Sequence, residues 1–211
     1  MTLDVTGDIV IAPLAAAMDA IANDPDHGAV QARLTLQALP AQLARRARIT
    51  CPITSATTKR FRPLMSEQLQ LRVWSEDSFM CRYCNRLTVF RPAVELLASL
   101  CPDELRTHPN WMMSKSHILF WVYSATCDHI VPHAQGGSTD RDNLVTACYS
   151  CQDAKNVYLN EEAGYILQPR SELAWDGPAR YYPMLFRLSP LRERTIYRRW
   201  MGAIGTARTV E

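Results

Sequence analysis

Apolar residues recur at helical spacing along the front of the chain, then give way near its middle to a short stretch that alternates as a strand does. Leu14, Met18 and Ile21 predict a helix over residues 13–22, with Pro13 suited to its first turn. Asn23-Asp24-Pro25-Asp26-His27-Gly28 is turn chemistry, with His27 a solvated loop residue, and residues 29–38 resume the helical period through Val30, Leu34 and Ala38. Pro40 restarts a basic helix to about Arg48, and the polar, β-branched residues 51–58 read as a connector. Ser66 as N-cap, with Glu67 in the first turn, opens a helix through Leu69, Val73 and Trp74 that ends before Asp77. Pro92 opens another over residues 92–101, which Pro102 ends. Tyr123 to Val131 alternates as a strand, Gly136-Gly137 with Ser138-Thr139-Asp140 makes a wide turn, Asn143 to Ala147 returns as a strand, and a helix begins near Cys148. The pattern is α+β: strand, loop, strand and helix set in a mainly helical chain. Further on, Glu161-Glu162 start a short helix, residues 168–178 read as a loop anchored by Trp175, and Ser189-Pro190 start a helix over 190–203 carrying Leu191, Ile196, Trp200 and Met201.

Composition narrows the class. A chain of 211 residues, 47% hydrophobic, can bury a real core as one large domain or as a compact domain with an appendage. No window reaches the roughly 20 apolar residues of a membrane span. The N-terminus, with Asp4 and Asp8 and no basic start, does not read as a secretion signal, so the expected location is the cytoplasm. The net charge of +2 says little, but its distribution says more. Arg45, Arg46, Arg48, Lys59, Arg60, Arg62 and Arg72 form one basic group; Arg187, Arg192, Arg194, Arg198 and Arg199 form another. Such groups can neutralise phosphates, and each can equally be solvated charge on a helix face. Trp111, Met112, Met113, Phe120, Trp121 and Tyr123 crowd one stretch that can stack on bases but more often forms core, and helical cover over the neighbouring strands is expected there. His108 and His117 lie outside any ligand spacing.

The cysteines change the picture most. Cys81-Arg82-Tyr83-Cys84 and Cys148-x-x-Cys151 are two knuckles whose local pairing points to one structural zinc in a reducing compartment, not to a disulfide framework. Cys51, Cys101 and Cys127 remain as packing residues. Phe79 and Met80 are expected beneath the metal, while Tyr83 has an aromatic ring and no task that the sequence reveals. The 85–147 stretch between the knuckles is too long for a simple zinc ribbon and long enough to enclose the strand-loop-strand element with an insertion.

Asp128-His129-x-x-Pro132, Gly136-Gly137, Asn143-Leu144 and Cys148-x-x-Cys151 followed by Lys155 occur in that order, and residues 79–160 resemble the HNH endonuclease family, the ββα-metal nucleases, in its zinc-containing branch. The resemblance implies a ββα-metal core clamped by a four-cysteine zinc site. It also implies hydrolysis of DNA phosphodiester bonds, leaving 5′-phosphate and 3′-hydroxyl ends. His129 then matches the general base, and an imidazole with an ordinary pKa of about 6.5 can take a proton from water near neutral pH. Asp128 matches the carboxylate that binds a hard divalent ion, magnesium or manganese, and Asn143 matches the residue that positions the loop. Neighbouring strand side chains point to opposite faces, so Asp128 and His129 serve one phosphate only where the strand ends irregularly, which Pro132 marks. Gln152 stands where the family usually has His or Asn as a second metal ligand. Its extra methylene moves the oxygen outward and adds a rotor to freeze. His133 is read as a phosphate contact or a surface residue, Lys155 as a phosphate contact or a solvated lysine, and Arg194, Arg198 and Arg199 as a grip on DNA or on a partner.

The expected organisation is a helical region over 1–58, a nuclease domain over 59–165 with an insertion at about 86–122, and a basic extension over 166–211. Double-stranded DNA is the expected partner, with a homodimer or protein contact through the helical ends as a further use and no membrane. The alternative to an enzyme is a catalytically weak or inactive zinc-stabilised module that binds nucleic acid.

Overall fold

A computed structural model of the chain describes residues 8–43, 45–47 and 64–208. Among them lie seven α-helices and one two-stranded sheet: α1 Ile11–Asn23, α2 Gly28–Leu36, α3 Glu67–Glu76, α4 Arg91–Leu100, β1 Ala125–His129, β2 Leu144–Cys148, α5 Tyr149–Lys155, α6 Tyr182–Leu188 and α7 Thr195–Arg208. The fold is α+β, and none of these helices is long and apolar enough to cross a membrane. Cys51, Arg48, Lys59, Arg60, Arg62, the 51–58 connector and the boundary at residue 58 fall outside the described residues.

Helices α1 and α2, joined by a short turn, pack on each other. Asp8 Oδ1 accepts from the Val10 and Ile11 amides at 2.8 Å each and satisfies two donors that the start of α1 would otherwise leave open. Leu14, Met18 and Ile21 are buried as their spacing predicts, but α2 is turned away from its predicted face. Gly28, Ala32 and Leu36 point inward, while Val30 and Leu34 are exposed. Close approach is the reason: a Cβ on Gly28 would lie 2.2 Å from Ala20 O, so the smallest residues mark the contact and the larger apolar ones are left outside. Residues 40–43 and 45–47 are not helical, which corrects the basic helix expected from Pro40.

Ser66 caps α3, its Oγ accepting from the Leu69 amide at 3.2 Å, and α4 begins at Pro92's turn as predicted. After Pro102 the aromatic stretch forms only short 3-10 turns at Met113–Lys115 and Ile118–Trp121. Its rings pack nonetheless: Trp111 meets Phe120 edge-on at 5.2 Å, and Trp121 meets Tyr149, the first residue of α5, at 5.1 Å. Glu161-Glu162 lie in turns, not a helix, because the Glu162 carboxylate accepts from the Leu159 amide at 2.8 Å and closes the chain on itself there.

In the C-terminal segment, Ser189 caps a 3-10 turn, Pro190–Glu193, and the backbone is extended at Arg194 before α7 begins. That break shifts the phase of the last helix. Tyr197, Trp200, Ala203 and Ile204 are buried, while Ile196 is exposed, contrary to the single helix expected over 190–203. Trp200 stacks on Trp74 of α3 at 5.7 Å and meets Phe90 at 5.2 Å, pairs each contributing about 0.5–1.5 kcal/mol beyond burial. Phe79 joins this main core and is not beneath the cysteines; α1, α2, α3, α4, α6 and α7 all contribute to the same buried cluster.

Candidate active site and metal centre

The sheet is an antiparallel pair in which Asp128 lies opposite Val145 and His129 opposite Leu144, and α5 follows β2 directly. Cys148 ends β2 and Cys151 lies in the first turn of α5; Cys81 and Cys84 approach from a turn after α3. The four sulfur atoms lie within 4.8 Å of one another, with Cys84 and Cys148 at 3.9 Å. Sulfurs bound to one zinc at about 2.3 Å sit about 3.8 Å apart in a tetrahedron, so the cluster fits zinc. Hydrogen bonds from Cys148, Cys151 and Cys81 push the Cys84 thiol below its ordinary pKa, as expected of one sulfur in a closely packed thiol cluster that shares its protons. Tyr83, Val145, Ala147 and Tyr165 enclose the cluster in an apolar shell of their own.

Asp77 pins the first knuckle to the sheet. Its Oδ2 accepts from the Thr146 amide at 2.8 Å, its Oδ1 pairs with Arg82 at 2.8 Å, and the Arg82 amide donates to Thr146 O at 2.8 Å. The outer edge of β2 is thereby closed without a third strand. The outer edge of β1 is closed by α5: Gln152 Nε2 donates to Cys127 O at 3.0 Å and Lys155 Nζ donates to His129 O at 2.8 Å. Residues three apart on a helix lie on one face, and carbonyls two apart on a strand point the same way, so two side chains replace a strand's ladder.

The catalytic pair expected from the sequence sits at the end of β1, with both residues 5% exposed. Asp128 points inward, where its Oδ2 accepts from Tyr83 Oη at 2.7 Å and lies 3.2 Å from Lys155 Nζ. Burial first, and the adjoining carboxylate second, push the Tyr83 phenol far above its ordinary pKa, so it remains a proton donor. His129 points toward the loop, its Nε2 lying 3.3 Å from Thr139 Oγ1 and its ring centre 6.2 Å from that of His133. Pairing runs on past His129, since the Ile130 amide donates to Asn143 O at 2.9 Å. Pairing therefore continues through both residues, which corrects the irregular strand end expected there; the Asp128 carboxylate turns to Tyr83 and Lys155, and the His129 ring to Thr139.

Asn143 shapes the loop. Its Oδ1 accepts from the Val131 amide at 2.8 Å, and its Nδ2 donates to Val131 O at 2.9 Å and to Ser138 O at 2.8 Å. The side-chain amide thus pairs with the Val131 peptide as a strand residue would. Gly137 allows it: a Cβ there would lie 1.8 Å from Val131 O. Gly136, at φ +92°, turns the chain after the short turn at His133.

Residues 114–157 match the HNH endonuclease family model. The matched segment runs from the aromatic stretch through β1, the loop, β2 and α5, and Cys81 and Cys84 reach the HNH segment from outside it. Neither curated proteins nor solved structures gave a match to the chain.

The matched segment brings Asp128, His129, His133, Asn143, Gln152 and Lys155 around one strand end, with one departure from the roles expected of them. Lys155 is wholly buried and its ammonium faces Asp128, not solvent, so it is not placed to meet a phosphate. The Gln152 amide donates through Nε2 to Cys127 O at 3.0 Å, a bond that fixes the side chain and leaves its carbonyl Oε1, the atom expected to bind a cation, on the other arm of the amide. Arg194, Arg198 and Arg199 are exposed on and just before α7, with Arg199 paired to Glu67 at 3.0 Å. The sequence reading missed Tyr83, Asp77 and Thr139. A tyrosine between two metal-binding cysteines offers a hydroxyl at the rim of a buried site, and that was the available signal for Tyr83.

Proposed function

We propose that this chain is a metal-dependent DNA endonuclease of the HNH type. The observation that supports it best is the adjacent Asp128 and His129 at the end of β1, beside a loop locked by Asn143 and within a frame that four cysteines can clamp on one zinc. Zinc at Cys81, Cys84, Cys148 and Cys151 has a structural role: it joins the knuckle after α3 to the sheet and α5. A thiolate cluster of this kind suits a reducing compartment such as the cytoplasm.

A hard divalent ion, magnesium or manganese, fits Asp128 through Oδ1, because Oδ2 is engaged by Tyr83 and Lys155; Gln152 can add one carbonyl oxygen. Such an ion supplies charge stabilisation at the scissile phosphate and the departing oxygen. His129 accepts a proton from the attacking water as its oxygen bonds to phosphorus, and the 3′ oxygen leaves with the bonding electrons and takes up a proton from solvent. The ends are then a 5′-phosphate and a 3′-hydroxyl. Thr139 orients the His129 ring, His133 meets a neighbouring phosphate, and Arg194, Arg198 and Arg199 bind the duplex backbone.

A second reading, a DNA-binding module without catalysis, is favoured by the internal bonds of Asp128 and Gln152, which can serve the fold alone. Incubating supercoiled plasmid with the zinc-loaded protein in magnesium, manganese or EDTA separates the two. The nuclease reading expects nicked or linear product in a divalent ion and none in EDTA. Intact plasmid in every metal, with a gel shift retained, establishes the binding module.

A further inference from the structure

Tyr83 lies between two zinc ligands, Cys81 and Cys84, yet its hydroxyl points to the carboxylate assigned above to the divalent ion. We propose that Tyr83 is a positioning residue through which the zinc knuckle sets the Asp128 carboxylate for divalent-ion binding. This rests on the nuclease reading of Asp128. Three observations carry it. The phenol is buried and donates to Asp128 Oδ2 at 2.7 Å, across a separation of 45 residues, so the bond ties the knuckle directly to β1. The Tyr83 ring is fixed from behind by the Tyr165 ring, stacked at 4.8 Å with an interplanar angle of 18°. From the opposite element, Lys155 Nζ lies 3.2 Å from the same Oδ2 and 5.9 Å from the centre of the Tyr83 ring. Two donors from the knuckle and from α5 thus converge on one oxygen, and a carboxylate held by one oxygen has its other oxygen aimed in a fixed direction. Zinc organises the loop that carries the hydroxyl, so the structural metal reaches the second metal's ligand through one side chain.

The test is manganese binding to zinc-loaded protein without DNA, read from the free-ion electron paramagnetic resonance signal and from zinc content. Tyr83→Phe keeps the ring and its stacking and removes only the hydroxyl. It is expected to retain its zinc and to bind manganese about tenfold more weakly, while Tyr165→Phe, which removes a hydroxyl from the same stack without touching Asp128, stays within about twofold of the parent. Equal losses in both variants would indicate general loosening of the knuckle and overturn the proposal, as would unchanged affinity in zinc-loaded Tyr83→Phe. Asp128→Ala is the reference. If it abolishes manganese binding while Tyr83→Phe does nothing, the tie through Tyr83 fails and the nuclease reading stands; if it too binds as the parent does, both fail.

Discussion

Two charged side chains meet inside the molecule at the end of β1, and the consequence can be measured. Lys155 and Asp128 are both buried, and each neutralises the other in surroundings where an unpaired charge is costly. Lys155→Met is expected to lower stability by about 3–5 kcal/mol, because the Asp128 carboxylate loses its counter-charge. Chemical denaturation of the zinc-loaded protein reads this directly. A lysine that served only to touch phosphate would leave stability alone and weaken DNA binding. Asn143→Ala removes three side-chain hydrogen bonds in the loop, and a loss of about 1–3 kcal/mol with slower cleavage is expected from thermal melts and plasmid assays on the same preparation. Asp128, His129, Asn143 and the four cysteines were legible in the sequence as residue types at family spacing. The direction each side chain faces was not. The spacing of Lys155 from Cys151 is the same whether the ammonium reaches solvent or folds back under β1, and only the burial of Asp128 decides it.

At the scale of elements, the loop between β1 and β2 depends on two neighbouring glycines for different reasons. Gly137→Ala puts a methyl carbon against the Val131 carbonyl and is expected to cost about 2–3 kcal/mol and to disturb the loop beside His129. Gly136→Ala meets open space and has only its left-handed backbone against it, at about 1–2 kcal/mol. Thermal melts of the two variants should preserve that order. Strand, loop, strand and helix were predicted within a residue or two, because alternation and the glycine pair are local signals. The inward face of α2 and the phase of α7 were not predicted. In α2 a close helix crossing at Gly28 outweighs the larger side chains of Val30 and Leu34. In α7 a 3-10 turn after Ser189 resets the helical count, and nothing in the apolar spacing of Leu191 and Ile196 announces that reset.

For the whole molecule, the four-cysteine cluster joins segments far apart in the chain, with the turn after α3 on one side and β2 with α5 on the other. Removing the metal is therefore expected to release more than the knuckle. Cys148→Ser should lose its zinc by elemental analysis and broaden or abolish the cooperative melt, since binding energy at such a site is folding energy. On the function proposed above, this frame serves to let His129 activate water beside Asp128. The most direct measurement compares the parent and His129→Ala on supercoiled plasmid in manganese, with zinc content and plasmid binding checked in both. Cleavage by the parent is expected, with a fall of about 10²–10⁴-fold in the variant and equal zinc and equal binding in the two. Cleavage at the same rate by His129→Ala would contradict it.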